Sequence, residues 1–327
     1  MNEEQQLIVE TAKRIFIDQC DKPVVDAAEA GEFPTNLWQT LVDTGLTLAG
    51  ISADAGGSGG EWADALLLIR EAGAAAAPIP LAEHLVAANL LARAGIELPT
   101  GIMTLALTDD QQQAHRVAFT EVADHIVVVA ADSVSLIANQ GLDWVRGSSI
   151  AGESLASVNF SGVEGVQAEC SGVGKIALQL GAGSRTNLMA GAVSRVLEMS
   201  VQYVSDRQQF GRPLAKFQAI QHQLAVLAGE AAACQRCADT LLYSDADLDI
   251  AIGKARTGEA VTLVSEIAHQ VHGAIGYTLE HALNLRTRRL WQWRDEYGAE
   301  RYWQMQIGRQ FCAQGADQLW AGITSAG

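Results

Sequence analysis

Apolar residues recur every three or four positions over the first part of the chain, and this spacing predicts helices that bury one face. The first predicted face comprises Leu7, Ile8, Thr11 and Ile15. A second helix begins near Pro34 and ends at Gly45, and a strongly apolar third helix covers 63–76. We therefore expect residues 1–98 to form an N-terminal helical domain.

The pattern changes between residues 99 and 175, where short runs rich in β-branched residues replace the helical spacing. Four such runs, separated by Asp, Gly, Ser and Asn, cover 104–108, 125–131, 133–138 and 156–163. Runs of this length and composition are typical of strands, and Asp132 between two of them indicates a tight hairpin. This region predicts a small middle β domain.

Helical spacing returns from about residue 176. The apolar stripes run through 189–204, 217–241, 248–270, 280–294 and 298–321. Four or five long helices of this kind pack as an antiparallel bundle. The order of elements predicts an α+β fold, with a helical domain at 1–98, a β domain at 99–175 and a C-terminal helical bundle at 176–327.

Composition and charge narrow the classes of function. Hydrophobic residues make up 49% of the chain and charged residues 18%, which is enough apolar surface for a well-buried globular protein. The formal net charge of −16 repels nucleic acid and anionic lipid, so we expect neither as a partner. No run reaches the roughly 18 apolar residues that cross a bilayer. The acidic start, MNEEQQ, lacks the features of a signal peptide, so we expect a cytoplasmic protein.

The five cysteines are scattered along the chain, which favours reduced thiols over a disulfide framework. Cys234 and Cys237 have the spacing of a metal or redox motif, but they lie within an apolar helical stripe. No second pair of this kind completes a zinc site. We predict that both cysteines pack in the core and that the chain binds no metal.

Polar side chains collect at three predicted helix ends, which are 205–225, 269–281 and 286–301. Taken singly, each has a structural explanation, since Arg207 can cap helix carbonyls and Gly273 and Gly276 can permit a turn. The arginines of the third stretch can form a solvated face; they are Arg286, Arg288, Arg289 and Arg294. Taken together, the three stretches suggest an anionic ligand held by guanidinium groups and backbone N–H groups.

Three motifs follow one another in order along the chain. The first is Trp38-x-x-Leu41 with Thr44-Gly45-Leu46, followed by the Gly-rich turn at 56–60. The second is Tyr203-x-x-x-Arg207-x-x-Phe210-Gly211 with Phe217-Gln218-x-x-Gln221, and the third is Gln270-x-x-Gly273-x-x-Gly276-Tyr277. With this order and spacing, the chain resembles the acyl-CoA dehydrogenase family, whose domains are helical, β and helical. The resemblance covers essentially the whole chain.

The resemblance implies that FAD is the cofactor and that the reaction is α,β-dehydrogenation of an acyl-CoA thioester. The positions that match the family's cofactor-binding residues are Arg207, Gln209, Phe210, Gln218, Gln270, Gly273, Ala274 and Gly276. Arg207 would pair with the pyrophosphate of an FAD bound mainly by a neighbouring subunit. Gln209 and Phe210 would line the same channel, and Gln218 would reach the adenine end. Ala274 stands where the family often has Gly. The implied electron acceptor is an electron-transfer flavoprotein.

The same resemblance raises the question of the catalytic base. In the family a Glu removes the α-proton while the β-hydrogen leaves as hydride to the flavin. Two positions carry this Glu in different members, and in this chain they hold Gly181 and Tyr297. Asp295 and Glu296 lie beside the second position and are the candidate bases.

The β region is short, and the family's Thr-Glu-Pro stretch is reduced to Leu-Thr-Asp-Asp at 107–110. These features resemble short subunits of heteromeric acyl-CoA dehydrogenases, which serve fatty acid or steroid side-chain degradation. Two variants stay open. In one, Glu296 or Asp295 is the base of a homo-oligomeric enzyme. In the other, the chain holds FAD and a longer partner supplies the Glu. A rival hypothesis is a helical scaffold that has lost cofactor binding.

Overall fold

The computed structural model describes residues 1–108, 112–147 and 149–324, with helices at both ends of the chain and strands between them. The N-terminal helices are α1 (Glu3–Gln19), α2 (Lys22–Glu29), α3 (Thr35–Asp43), α4 (Trp62–Ala75) and α5 (Leu81–Ala94). The middle strands are β1 (Met103–Leu107), β2 (Gln113–Ala118), β3 (His125–Val129), β4 (Ser133–Ala138), β5 (Asp143–Arg146), β6 (Leu155–Asn159) and β7 (Val166–Glu169). The last part comprises α6 (Val173–Asp206), β8 (Gln208–Gln209), β9 (Arg212–Pro213), α7 (Gln218–Thr240), α8 (Asp247–His272), α9 (Leu283–Asp295), α10 (Glu300–Gln314) and α11 (Ala316–Thr324).

The first helix is set by its cap and by small core residues. The Asn2 side chain accepts a hydrogen bond from the backbone N–H of Gln5, and the Gln5 side chain accepts one from the N–H of Asn2. The apolar residues that α1 buries are Val9, Ala12, Ile15 and Phe16. Leu7 is 64% exposed, so the predicted face is wrong at this position. The small Ala12 packs in the core where the sequence pattern favoured larger side chains.

Helices α4 and α5 are buried on most sides because they lie between other elements. α4 packs against α1 and α6, and α5 packs against β1 and α6. The backbone N–H of Met103 in β1 donates to Nδ1 of His84 in α5 at 3.0 Å. Burial lowers the pKa of His84 to about 4, so the imidazole stays a neutral acceptor. This bond joins the N-terminal helices to the β region.

The middle region contains two small sheets. One has the strand order β1-β3-β4-β7, in which β1 and β3 are parallel, and the other has the order β2-β6-β5. Apolar side chains from both sheets, including Ile126, Val128 and Val158, share one cluster. The four predicted runs coincide with β1, β3, β4 and β6. The sequence did not indicate β2, β5 and β7, because most of their residues are exposed and no apolar run marks them.

Helix α6 is the centre of the C-terminal bundle and packs against α4, α7, α8 and α9. Its crossing with α4 is close, because a Cβ at Gly191 would overlap the carbonyl oxygen of Arg70. The helix predicted over 298–321 is divided into α10 and α11 at Gly315, whose φ is 82°. N-terminal helices, a middle β region and a helical bundle confirm the predicted α+β fold. The domain boundaries at 98/99 and 175/176 stay predictions.

The described residues also bear on the cysteines and on membranes. All five cysteines are free, and Cys234 is buried in α7, where burial raises the pKa of its thiol to about 12. None of the helices in the described ranges is both long and apolar enough to cross a bilayer.

Of the stretch at 107–110, Asp109 and Asp110 lie outside the described residues.

Candidate functional site

The two positions that carry the base in the family lie against each other in the interior. Gly181 is buried in α6, and a Cβ added there would lie 2.5 Å from Cγ of Tyr297 and closer to the adjoining ring atoms. The Tyr297 ring therefore fills the space that any side chain at 181 would need. Burial raises the pKa of Tyr297 well above its ordinary value, against the opposing charge of Arg185, so the phenol is neutral. Two positions far apart in sequence converge on one point, as a shared chemical role requires.

Arg185 lies one turn after Gly181 on α6 and binds two carboxylates. Its Nη2 donates to Glu83 of α5, and its Nε donates to Oε2 of Glu296 at 2.5 Å. The Arg185 side chain is 3% exposed and that of Glu83 is 6% exposed. The guanidinium carbon also lies 5.0 Å from the centroid of the Tyr297 ring. One cation, two carboxylates and one ring therefore occupy the place where both base positions meet; we call these four residues the interior cluster.

The segment that carries Tyr297 is fixed by two further side chains. Nζ of the buried Lys254 donates to the carbonyl oxygens of Arg294 at 2.7 Å and Gly298 at 2.8 Å. Nε1 of Trp303 donates to the carbonyl oxygen of Tyr297 at 3.0 Å. Desolvation lowers the pKa of Lys254 to about 7. Because the backbone is held on both sides of Tyr297, its ring has little freedom to leave the space beside Gly181.

The two candidate bases lie in different surroundings. The Glu296 side chain is 11% exposed, and its Oε2 is engaged by Arg185. The Asp295 side chain is 55% exposed and pairs with Arg294 at 3.3 Å. The structure thus places Glu296 beside Tyr297 and leaves Asp295 at the surface. That either carboxylate acts as a base stays a prediction.

The arginine-rich stretch on α9 belongs largely to an internal network instead of facing solvent or a ligand. Arg289 is fully buried and pairs with Glu29 of α2 at 3.1 Å and with Glu153 of the β region at 3.3 Å. Arg288 binds Glu29 at 2.7 Å, and Nε2 of Gln292 donates to Glu153 at 2.7 Å. Burial raises the pKa of Glu153 to about 7, with Arg289 opposing the rise. Helix α9 is therefore tied to both the N-terminal helices and the β region.

The second motif forms a tight hairpin between α6 and α7. The turn residues Phe210 and Gly211 have φ of 51° and 76°, and β8 and β9 pair on either side of them. Two positive φ values are typical of a two-residue hairpin loop, which Gly adopts readily and Phe does not. Phe210 is 90% exposed, with an edge contact to Phe217 at 6.2 Å between ring centroids. The hairpin therefore presents the Phe210 ring to solvent in a backbone conformation that is rare for residues other than Gly.

Most of the predicted cofactor residues lie at the surface. The exposed polar ones are Arg207, Gln209, Gln218 and Gln270. Within the described ranges, their side chains form no hydrogen bond or ion pair with another residue. Tyr203 of the second motif stacks on His272 beside the third motif, with 4.6 Å between ring centroids. The structure therefore brings the two motifs together on one side of the bundle.

The third motif ends α8 and continues as a short 3₁₀ turn over Gly273–Tyr277. Gly273 has φ of 62°, and a Cβ there would meet no atom within 4 Å, so its backbone is open. Ala274 is also exposed. Gly276 is buried, and a Cβ there would come within 2.9 Å of the His272 side chain, so it serves the turn itself. A guanidinium and amides without partners, beside open backbone, are the groups that bind a dinucleotide, so these residues fit FAD.

The sequence pointed to Glu296 and Tyr297, but it did not point to Arg185 and Glu83, the other two residues of the interior cluster. The available signal was a charged residue inside an apolar helix. Glu83 interrupts the apolar run of α5, and Arg185 stands among the small residues of α6. Charged residues are almost never fully buried without a partner, so two opposite charges in such positions predict a pair.

Comparisons with known proteins agree with this geometry. The model of the acyl-CoA dehydrogenase N-terminal domain matches residues 2–98, and that of the C-terminal domain matches residues 175–305. The acyl-CoA dehydrogenase IpdE2 of Mycolicibacterium smegmatis is 29% identical over 307 residues, which cover 88% of this chain and 93% of that protein. IpdE2 of Mycobacterium tuberculosis is 30% identical over 305 residues, which cover 88% of this chain and 91% of that protein.

Among solved structures, a chain of the ChsE4-ChsE5 complex from Mycobacterium tuberculosis aligns with a TM-score of 0.86. The alignment covers 97% of this chain and 99% of that chain at 21% identity, so it bears on the fold. FAD, the cofactor expected from the sequence, is the cofactor of the family that both domain models describe. Because those two models together span most of the chain, the chain belongs to the acyl-CoA dehydrogenase family, whose members are flavin-dependent oxidoreductases.

Proposed function

We propose that this chain is the FAD-holding partner subunit of a heteromeric acyl-CoA dehydrogenase, in which a longer subunit supplies the base for α,β-dehydrogenation of an acyl-CoA thioester. The observation that carries the proposal is the contact between Gly181 and Tyr297. Neither position holds a carboxylate, and the ring of one fills the space of the other. Neither of the family's two base positions can therefore supply a base in this chain, which favours a base from a different chain.

The contribution of this chain to FAD follows from its exposed groups. The planar guanidinium of Arg207 suits a pyrophosphate, which it can contact with two parallel N–H groups. Gln209 and Gln218 supply neutral polar contacts, and the open backbone at Gly273 allows close approach. When bound, FAD supplies the acceptor for the β-hydrogen of the substrate. All of these groups face away from the chain's own interior, as a cofactor shared across a subunit interface requires.

A heteromer with a longer acyl-CoA dehydrogenase subunit is the assembly that these features favour. The ChsE4-ChsE5 structure, whose fold this chain shares, is a complex of two proteins. The exposed Phe210 hairpin beside Arg207 offers apolar surface for such an interface. We further propose an electron-transfer flavoprotein as electron acceptor and a thioester from fatty acid or steroid side-chain degradation as substrate.

The alternative is a self-sufficient enzyme in which Glu296 is the base. Its position beside Tyr297 supports this variant, because it lies next to one of the family's base positions. Against it stands the Arg185 guanidinium, which donates to Oε2 of Glu296 and leaves only Oε1 to take a proton.

Flavin absorbance of the purified protein tests the proposal. We expect the chain to carry FAD when it is produced together with a longer acyl-CoA dehydrogenase subunit, and the Arg207→Gln variant of that complex to lose most of it. Flavin retention in the Arg207→Gln complex, or a complex without flavin, would contradict the proposal. Anaerobic bleaching of flavin by an acyl-CoA in the chain alone, abolished by Glu296→Gln with flavin still bound, would establish the enzyme variant instead.

A further inference from the structure

A cavity of about 800 Å³ opens on the surface beside Arg207. Most of its wall is one face of the last turns of α6, which carries Arg195, Tyr203 and Arg207. The opposite wall includes His281, which lies between the Gly273–Tyr277 turn and α9. The cavity therefore lies where the second and third motifs meet, and His281 belongs to neither of them.

The carboxylates of this cavity are already engaged. Glu198 accepts from Arg195 at 2.8 Å, and Asp206 accepts from Nε2 of Gln202 at 2.7 Å. Arg207 has no side-chain partner within the described ranges. The cavity thus retains a cation that its own acidic residues do not neutralise through a direct contact.

His281 brings a second donor to the same cavity. Its Nδ1 accepts a hydrogen bond from the backbone N–H of Leu283 at 3.2 Å, so the neutral ring carries its proton on Nε2. Within the described residues, that Nε2 has no hydrogen-bond partner. Burial lowers the pKa of His281, and the charge of Arg286 lowers it further, so the neutral form prevails near pH 7.

The ring of His281 is held in place by aromatic neighbours. Its centroid lies 4.9 Å from that of His272 and 6.4 Å from that of Tyr203, with edge contacts in both cases. Tyr203 in turn stacks on His272. A donor fixed by its tautomer and by its ring contacts loses little freedom when it binds an anion.

We propose that His281 is a second phosphate-binding residue of this subunit, donating from Nε2 to the pyrophosphate that Arg207 contacts. This inference rests on the proposed function, because it takes the pyrophosphate to be that of FAD. An acyl-CoA also carries a pyrophosphate, and the experiment below distinguishes the two sources.

The test uses the complex with the longer subunit and compares two amides at position 281. Gln places its NH₂ near the location of Nε2, whereas Asn places its polar atoms near Nδ1. We expect His281→Asn to weaken FAD binding about 10-fold or more, the effect of losing a hydrogen bond to a charged group, and His281→Gln to stay within about 3-fold of wild type. Fluorescence of released flavin on dilution measures both. His115→Asn, in the β region, is the matched control and leaves FAD binding unchanged.

Each contrary outcome has a distinct meaning. Equal FAD affinity of His281→Asn and wild type would overturn the inference, as would equal losses in the Asn and Gln variants, which indicate ring packing alone. A rise in the KM for acyl-CoA without a change in FAD affinity would assign the cavity to the substrate and overturn it too. If Arg207→Gln lowers flavin content while His281→Asn does not, the proposed function survives and this inference fails.

Discussion

Arg185 lies within α6 and Arg207 lies at its end, about six turns later. The two arginines differ in burial, in partners and in surroundings. Arg185 is buried, binds two carboxylates and lies against an aromatic ring. Arg207 is exposed and has no side-chain partner within the described ranges. The first arginine is satisfied by the protein's own interior, and the second is left exposed to solvent or to another molecule.

The contrast supports the proposal that one chain can offer cofactor contacts at its surface while lacking a base in its interior. In the family, one assembly contains both the base and the cofactor contacts. These two sets of residues lie on different surfaces of a chain. In this chain Tyr297 fills the space beside Gly181 in the interior, while Arg207 and the polar residues near it are exposed. Filling one surface does not disturb the other, because α6 is long enough to keep them apart. Substitutions at the two ends should therefore behave differently.

The largest expected effect is at the interior arginine. Arg185→Met leaves the carboxylates of Glu83 and Glu296 buried without their cation, and we expect a loss of about 3–5 kcal/mol in the free energy of unfolding. Urea denaturation measures it. Arg195→Met is the matched control on the same helix, since its pair with Glu198 is solvent-exposed and worth less than about 1 kcal/mol. Similar losses of unfolding free energy in the two variants would show that the buried arginine is no more important for stability than an exposed one.

The contact between Gly181 and Tyr297 should be the next most sensitive feature. Gly181→Ala places a Cβ against the ring, and we expect destabilisation of about 2–3 kcal/mol from overpacking. Gly183→Ala is the control, because a Cβ there would lie 3.9 Å from its nearest neighbour, Cδ1 of Leu241. That variant should be neutral or slightly stabilising, as Ala is in a helix. Thermal unfolding compares them.

A double-mutant cycle sharpens this test. Tyr297→Ala alone opens a cavity, but in the Gly181→Ala background it also removes the overlap, so the two losses should not add. We expect a coupling of about 1–3 kcal/mol in favour of the double variant. Strict additivity would mean that the ring moves freely away from α6.

The third effect is the pH dependence contributed by Glu153. Its pKa is about 7 in the folded protein because of burial, above its ordinary value of 4.5. A raised pKa favours the protonated form in the folded state, so this contribution to stability is complete below about pH 4.5 and is lost as pH rises through 7. We expect wild type to lose about 2 kcal/mol relative to Glu153→Gln between pH 5 and pH 7.5. The exposed Glu164→Gln should show the wild-type slope in the same urea series.

The smallest effect on stability is expected at the surface arginine. Arg207→Gln removes no contact within the described ranges, so the free energy of unfolding of the isolated chain should change by less than about 0.5 kcal/mol. A loss above 1 kcal/mol in urea would show that Arg207 has a structural partner. It would also weaken the argument that this side chain is kept for a ligand.

The sequence predicted the architecture because the helices and most of the buried strands depend on local patterns. Apolar periodicity marks α6, α7 and α8, whereas the stretch at 205–225 was expected as a helix end, without the hairpin that carries Phe210 and Gly211. The strands β5 and β7 escaped notice because they are mostly exposed, and β2 because its few buried apolar residues are separated by Gln113, His115 and Arg116. Leu7 misled the pattern for α1, since a large apolar residue at the surface carries no local sign of its exposure.

The interior could not be predicted in the same way. The pairing of Arg289 with Glu29 joins residues 260 positions apart, and that of Arg185 with Glu83 joins residues 102 positions apart. The sequence of the arginine-rich stretch on α9 does not tell whether its side chains face solvent or form a buried network. The contact between Gly181 and Tyr297 depends likewise on how α6 meets the end of α9, which only tertiary packing determines.

The packing of Gly181 against Tyr297 also has an evolutionary consequence. A return to a base of its own would need a Glu at one of these positions. At 181 that Glu overlaps the ring until Tyr297 is lost, and at 297 it adds a third carboxylate beside Glu83 and Glu296 with one guanidinium between them. Each single step lowers stability before any benefit can appear. The core itself therefore opposes the appearance of a Glu at either position.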